Sequence, residues 1–275
     1  MRGGRLALLL LLTAASGAGA IVIRDDVDDA AYRVPASELP ALADLPGEGH
    51  GVLIAPQWIV TAAHAVGGHE PEKITVAGTA RKVERVVVHP GYKQLPQTLV
   101  DQAIRDGDAT GVIDFLAASD DVALIELAAP ATDVAPVPLY KGGDELGRTV
   151  ELVGKGATGT GARGHDPQAP HRTELRRAFN RITRADERWI CYLFDKPPAA
   201  LPLEGMLGNG DSGGPVLIEV DGRRQLAGLA SWKILQGNPV TVRPGAYGQS
   251  GCNVRLSRYA GWIEATIAAG QPRRR

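Results

Sequence analysis

Gly210-Asp211-Ser212-Gly213-Gly214-Pro215 sets one hydroxyl in a turn almost empty of side-chain bulk. A Gly-rich turn with a single serine is usually only a turn. A serine hydroxyl is also a poor nucleophile until a neighbouring base takes its proton. The stretch therefore carries chemistry only if the chain supplies a base and a group to orient it. Thr61-Ala62-Ala63-His64-Ala65 offers the base, an imidazole among small residues at the end of a β-like run. Histidine takes and returns a proton near neutral pH. Asp121 heads the apolar run Asp-Val-Ala-Leu-Ile-Glu-Leu, where a buried carboxylate needs a partner to offset its desolvation. Taken singly, His64 reads as well as a satisfied core histidine, and Asp121 as a strand cap.

The flanking sequence suits a secreted enzyme. Arg2 and Arg5 precede the apolar run 6–12, and Ala18-Gly19-Ala20 follows, the layout of a signal peptide over residues 1–20 cleaved after Ala20. The run is too short for a membrane span, and a secreted or periplasmic location is expected. The 275 residues carry 30 Lys+Arg against 31 Asp+Glu, a near balance that argues for neither nucleic acid nor an anionic membrane as partner. Arg273-Arg274-Arg275 reads as a solvated end. Two cysteines in a secreted chain favour one disulfide over two buried thiols.

Short apolar and β-branched runs recur at 51–55, 58–63, 83–88 and 122–127, then at 149–153, 188–194, 216–220 and 226–232. They read as strands, in keeping with 34 Gly and 19 Pro in the chain. The proline-punctuated segment 130–138 reads as a crossing between halves. Asp221-Gly222 is a hairpin signal, and 156–170 reads as loop. Tyr259, Trp262, Ile263, Thr266 and Ile267 recur at helical spacing behind a candidate N-cap, Ser257.

In the order His64, Asp121, Ser212, these contexts together resemble the chymotrypsin/trypsin family of serine endopeptidases, in its few-disulfide bacterial form. Val88-His89-Pro90-Gly91-Tyr92, Ser231-Trp232 and Arg258-Tyr259-Ala260-Gly261-Trp262-Ile263 extend the likeness over most of the mature chain. The resemblance implies an all-β fold of two packed antiparallel six-stranded β-barrels with a C-terminal helix. Residues 21–135 would form the barrel carrying His64 and Asp121, and 136–275 the barrel carrying Ser212, the helix and the basic tail. It also implies the roles of a Ser-His-Asp triad: nucleophile Ser212, base His64 and orienter Asp121, with Asp120 the one rival. The backbone N–H groups of Gly210 and Ser212 would form the oxyanion hole, and Ser231 would support Asp121.

Further expectations follow from the same resemblance. Family members activate by pairing a free Ile-Val terminus with the Asp before the nucleophile, here Ile21 and Asp211, so signal cleavage would itself activate the enzyme. Ile23-Arg24 stand where Gly-Gly is usual. Met206 takes the floor of the primary pocket, with Leu207, Ser231, Trp232 and Gly251 around it, which disfavours Lys or Arg substrates and suggests an apolar preference. Lys233 replaces a glycine that usually lets substrate pass, and either narrows the pocket, draws an acidic side chain or faces solvent. Cys191 and Cys252 lie on segments that neighbour each other in the family, which favours a bridge between them. Asp106, Asp108, Thr110 and Asp114 imitate the start of a calcium loop, but Ala117 stands at its twelfth position, so a solvated acidic loop is the better reading. The expectation is a monomeric peptidase acting on polypeptides without metal or cofactor. The rivals are a silent protease-like binding protein and an esterase using the same triad.

Overall fold

The computed structural model describes residues 21–68, 70–166, 174–235 and 237–270. The expected signal peptide and the basic tail lie outside them. Two closed six-stranded antiparallel β-barrels make up most of the molecule. The first contains β1 (Leu42–Asp44), β2 (His50–Ala55), β3 (Trp58–Thr61), β4 (Lys73–Val76), β5 (Thr79–Val88) and β6 (Ala123–Leu127). Its strand order is β1-β2-β3-β6-β5-β4, closed by pairing of β1 with β4. Val52, Ile59, Val60, Ile74, Leu124 and Ile125 on its strands are fully or nearly fully buried and belong to the core. β-Branched and aliphatic side chains at these positions fit a pleated, closed sheet.

The second barrel contains β7 (Thr149–Gly154), β8 (Leu175–Ala185), β9 (Trp189–Leu193), β10 (Pro215–Val220), β11 (Arg223–Ile234) and β12 (Ser250–Arg255). The order β9-β12-β11-β10-β7-β8 is closed by β8 pairing with β9, and the short strand Arg33–Val34 adds to the free edge of β8. Asp221 and Gly222 both take positive φ in the turn between β10 and β11, as the sequence predicts. Cys191 and Cys252 face each other in register on β9 and β12, with Cα atoms 4.2 Å apart, and form one disulfide.

Among the described residues three α-helices accompany the barrels: α1 (Gln97–Asp106), α2 (Thr110–Ala117) and the expected C-terminal α3 (Leu256–Gly270). Ser257 is not an N-cap, because α3 already begins at Leu256; its hydroxyl instead donates to Glu145 Oε1 at 3.1 Å. The stretch read as an acidic loop holds α1 and α2. Gly107 ends α1 with a positive φ of 67°, Asp108 Oδ1 accepts from the Thr110 N–H at 2.9 Å, and Asp114 sits exposed inside α2. These carboxylates punctuate two helices instead of converging, and among the described residues no cluster of acidic, His or Cys side chains could hold a metal. No described helix is long and apolar enough to cross a membrane.

Candidate active site

The site forms where strand ends meet. Thr61 on β3 pairs with Ala123 on β6, so the residues leaving β3 lie beside those entering β6. After β3 the chain makes a tight 3-10 turn, Ala63–Ala65, whose small neighbours Ala62 and Ala63 are fully buried. That turn lifts the His64 ring toward the cleft and leaves its backbone facing Asp121. Asp121 Oδ1 accepts from the His64 N–H at 2.8 Å, and Oδ2 lies 2.7 Å from ring atom Nδ1. The Ser231 hydroxyl also donates to Oδ2. Three donors thus hold a carboxylate that is only 5% exposed, which offsets its desolvation. Asp120, the rival, turns elsewhere and accepts from Arg188 Nε at 2.9 Å and the Tyr259 hydroxyl at 2.8 Å.

Across the cleft, Ser212 Oγ lies 2.7 Å from His64 Nε2. Glycines shape the turn that carries it: Gly213 has φ of 72°, and a Cβ there would fall 2.2 Å from the His50 carbonyl oxygen. Ser212 and Gly210 line the adjoining cavity, and neither N–H donates to a protein acceptor among the described residues. Burial disfavours the His64 imidazolium and Lys233 repels it, but the Asp121 carboxylate outweighs both and holds its pKa above the ordinary value. The arrangement couples a hydroxyl to a base with raised proton affinity, and that base to a fixed carboxylate.

Asp211, before the nucleophile, is fully buried. Its Oδ1 accepts from the Gly156 N–H at 2.6 Å, and its Oδ2 from Gly208 N–H at 2.7 Å and from the Ile21 nitrogen at 3.4 Å. Ile21 and Val22 are themselves fully buried, and Val22 pairs with Met206. His50 was not singled out from sequence. It is fully buried, with Nδ1 3.2 Å from Asp44 and Nε2 accepting from the Lys155 N–H at 3.3 Å, 3.7 Å from Asp211 Oδ1.

A cavity of about 280 Å³ opens beside Ser212. Leu207, Ser231, Trp232, Lys233 and Gly251 line it, but Met206 does not. Met206 is fully buried and held by its pairing with Val22, so it faces the core of the second barrel. Tyr192 takes a place in the lining that sequence reading missed, and its hydroxyl accepts from the Leu207 N–H at 3.1 Å. Gly251 makes room for it, since a Cβ there would lie 2.6 Å from the Tyr192 ring. On the other side of His64, a cavity of about 240 Å³ is lined by Tyr92, Leu95, Leu116, Trp189 and Trp232 among others. Leu95 precedes α1 and Leu116 lies on α2, whose last residue, Ala117, is tied to the second barrel by Trp189 Nε1 through its carbonyl at 2.9 Å.

The sequence profile of the family described as Trypsin matches residues 32–263. The chain belongs to the trypsin family. It is 29% identical over 217 residues to a trypsin of Saccharopolyspora erythraea, covering 73% of this chain and 81% of that protein. A trypsin of Simulium vittatum is also 29% identical, over 212 residues, with 72% of this chain and 74% of the relative covered. Putative trypsin-6 of Homo sapiens is 26% identical over 283 residues, 94% of this chain and 98% of its own length. His64, Asp121 and Ser212 all fall inside the trypsin-family match, whereas Ile21 precedes it.

Proposed function

We propose that this trypsin-family chain is a secreted serine endopeptidase that cuts polypeptides through an acyl-enzyme, without cofactor. The observation that carries this reading is the unbroken chain from Asp121 through His64 to Ser212, with 2.7 Å at each link, beside an open cavity. In this reading residues 21–135 bring His64 and Asp121, and residues 136–275 bring Ser212. Ser212 Oγ forms a bond to the scissile carbonyl carbon while His64 Nε2 takes its proton. The oxyanion is held by the N–H groups of Gly210 and Ser212, a contribution of about 3–4 kcal/mol per donor in such sites. His64 then delivers the proton to the leaving amine as the C–N bond breaks, and water repeats the sequence on the ester. Asp121 fixes the ring tautomer, and the Ser231 hydroxyl fixes Asp121.

The approach of the Ile21 nitrogen to Asp211 supports a second part of the reading. A free terminus at Ile21 carries an ammonium there, which orders the turn before Ser212. Cleavage after Ala20 would then both secrete and activate the enzyme. The apolar preference expected from Met206 loses its basis, because Met206 lies outside the cavity.

Labelling with a fluorophosphonate tests the nucleophile directly. Peptide mapping is expected to place the adduct on Ser212 alone, with labelling lost in His64→Ala. An adduct elsewhere, or labelling indifferent to His64, contradicts the assignment.

A further inference from the structure

We propose that the cavity beside Ser212 receives an acidic side chain, Asp or Glu, at the residue whose carbonyl is attacked, and that Lys233 and Tyr192 read its carboxylate. The proposal rests on the peptidase reading and names its substrate class. Lys233 lines the cavity half-buried, and its one polar partner among the described residues is a neutral one, Asn209 Oδ1, at 3.0 Å. No carboxylate lies within ion-pair distance of its ammonium among the described residues. A cation kept from full hydration without a counter-charge is costly, and a carboxylate guest offsets that cost.

Tyr192 supplies a second donor. It is fully buried, and its hydroxyl accepts from the Leu207 N–H, which leaves its own proton without a protein acceptor among the described residues. Burial pushes the phenol well above its ordinary pKa, so the O–H persists through alkaline solution. Ammonium and phenol are both donors, and the guest that suits both at once is an acceptor. The displaced Met206 removes the apolar floor that would have favoured a hydrocarbon side chain instead.

Burial also brings the Lys233 ammonium down to about 8, against the pull of Asp211. The other charged or titratable groups around it are His64, which it repels, Glu48, which also lines the cavity, and the Tyr192 phenol. Burial keeps the Tyr192 phenol protonated, and His64 acts alike on any substrate. A comparison between substrates differing only in the carboxylate therefore isolates Lys233.

The test measures kcat/KM on otherwise identical peptides with Glu, Gln, Leu or Lys before the cut, from pH 6 to 10. The Glu/Gln ratio is expected to be about 10- to 100-fold, the range for one charge-assisted hydrogen bond, and to fall as pH rises through about 8. Lys233→Gln should bring the ratio to about one or below. Lys233→Arg should keep it and extend it to higher pH, because guanidinium does not titrate there. Equal cutting after Glu and Gln, or a ratio unmoved in Lys233→Gln, overturns the inference. Efficient cutting after Leu with none after Glu sinks this inference alone and leaves the peptidase reading standing. If no peptide is cut by protein whose Ser212 takes the fluorophosphonate, both fall.

Discussion

The chemistry at His64 depends on one carboxylate. Asp121 both fixes the ring and holds its pKa above the ordinary histidine value, against burial and Lys233. A base is active only when neutral, so the acid limb of kcat/KM should lie above about 6.5, the unperturbed value. Asp121→Asn removes the charge that raises the pKa. The limb should then move to lower pH while kcat falls about 10⁴-fold, the usual cost when a Ser-His-Asp triad loses its aspartate charge. A pH–rate profile of the variant checks both; a limb that stays in place contradicts the electrostatic role. His64, Asp121 and Ser212 were legible in the sequence because each needs a fixed local context of small residues or glycines. Tyr192, His50 and the true place of Met206 were not. Each depends on which way a strand's side chains face, and a shift of one residue reverses that.

At the scale of elements, β2, β3, β5, β6, β7, β9, β10 and β11 could be read directly, whereas β1, β4 and β12 went unread and β8 was hidden. Its inward residues are Arg176, Ala178, Asn180 and Ile182, so half of the buried face is polar. Arg176 pairs with Asp29 at 2.7 Å and Asn180 donates to the Gly205 carbonyl at 3.1 Å, partners distant in sequence. The helices α1 and α2 were missed for another reason. Their acidic punctuation matched an ion-binding loop, while the apolar contacts of Ile113, Leu116 and Ala117 with the core become apparent only in three dimensions. The disulfide joins β9 to β12 across 61 residues of chain. Replacing Cys191 and Cys252 together by serine should cost about 2–4 kcal/mol, a fall of about 5–15 °C in Tm for a chain of this size. Calorimetry under non-reducing conditions measures it, and an unchanged Tm would mean the strands hold their pairing unaided.

At the scale of the whole molecule, the Ile21 nitrogen reaches Asp211, 190 residues away in sequence, and in the proposed reading that contact orders the active-site turn. Leaving a buried carboxylate without its counter-charge costs about 3–5 kcal/mol. One extra residue before Ile21 should therefore lower kcat/KM by about 100-fold or more and lower the Tm by about 6–20 °C. Full activity in that extended form would separate activation from the Ile21 contact. The central claim is that Ser212, driven by His64, cuts peptide bonds, and cleavage of a mixed peptide library by protein beginning at Ile21, beside Ser212→Ala, tests it most directly. Defined cuts by the parent and silence from the variant are expected, a difference of about 10⁶-fold in turnover; cutting that survives in Ser212→Ala, or no cutting by the parent, would rule the peptidase reading out.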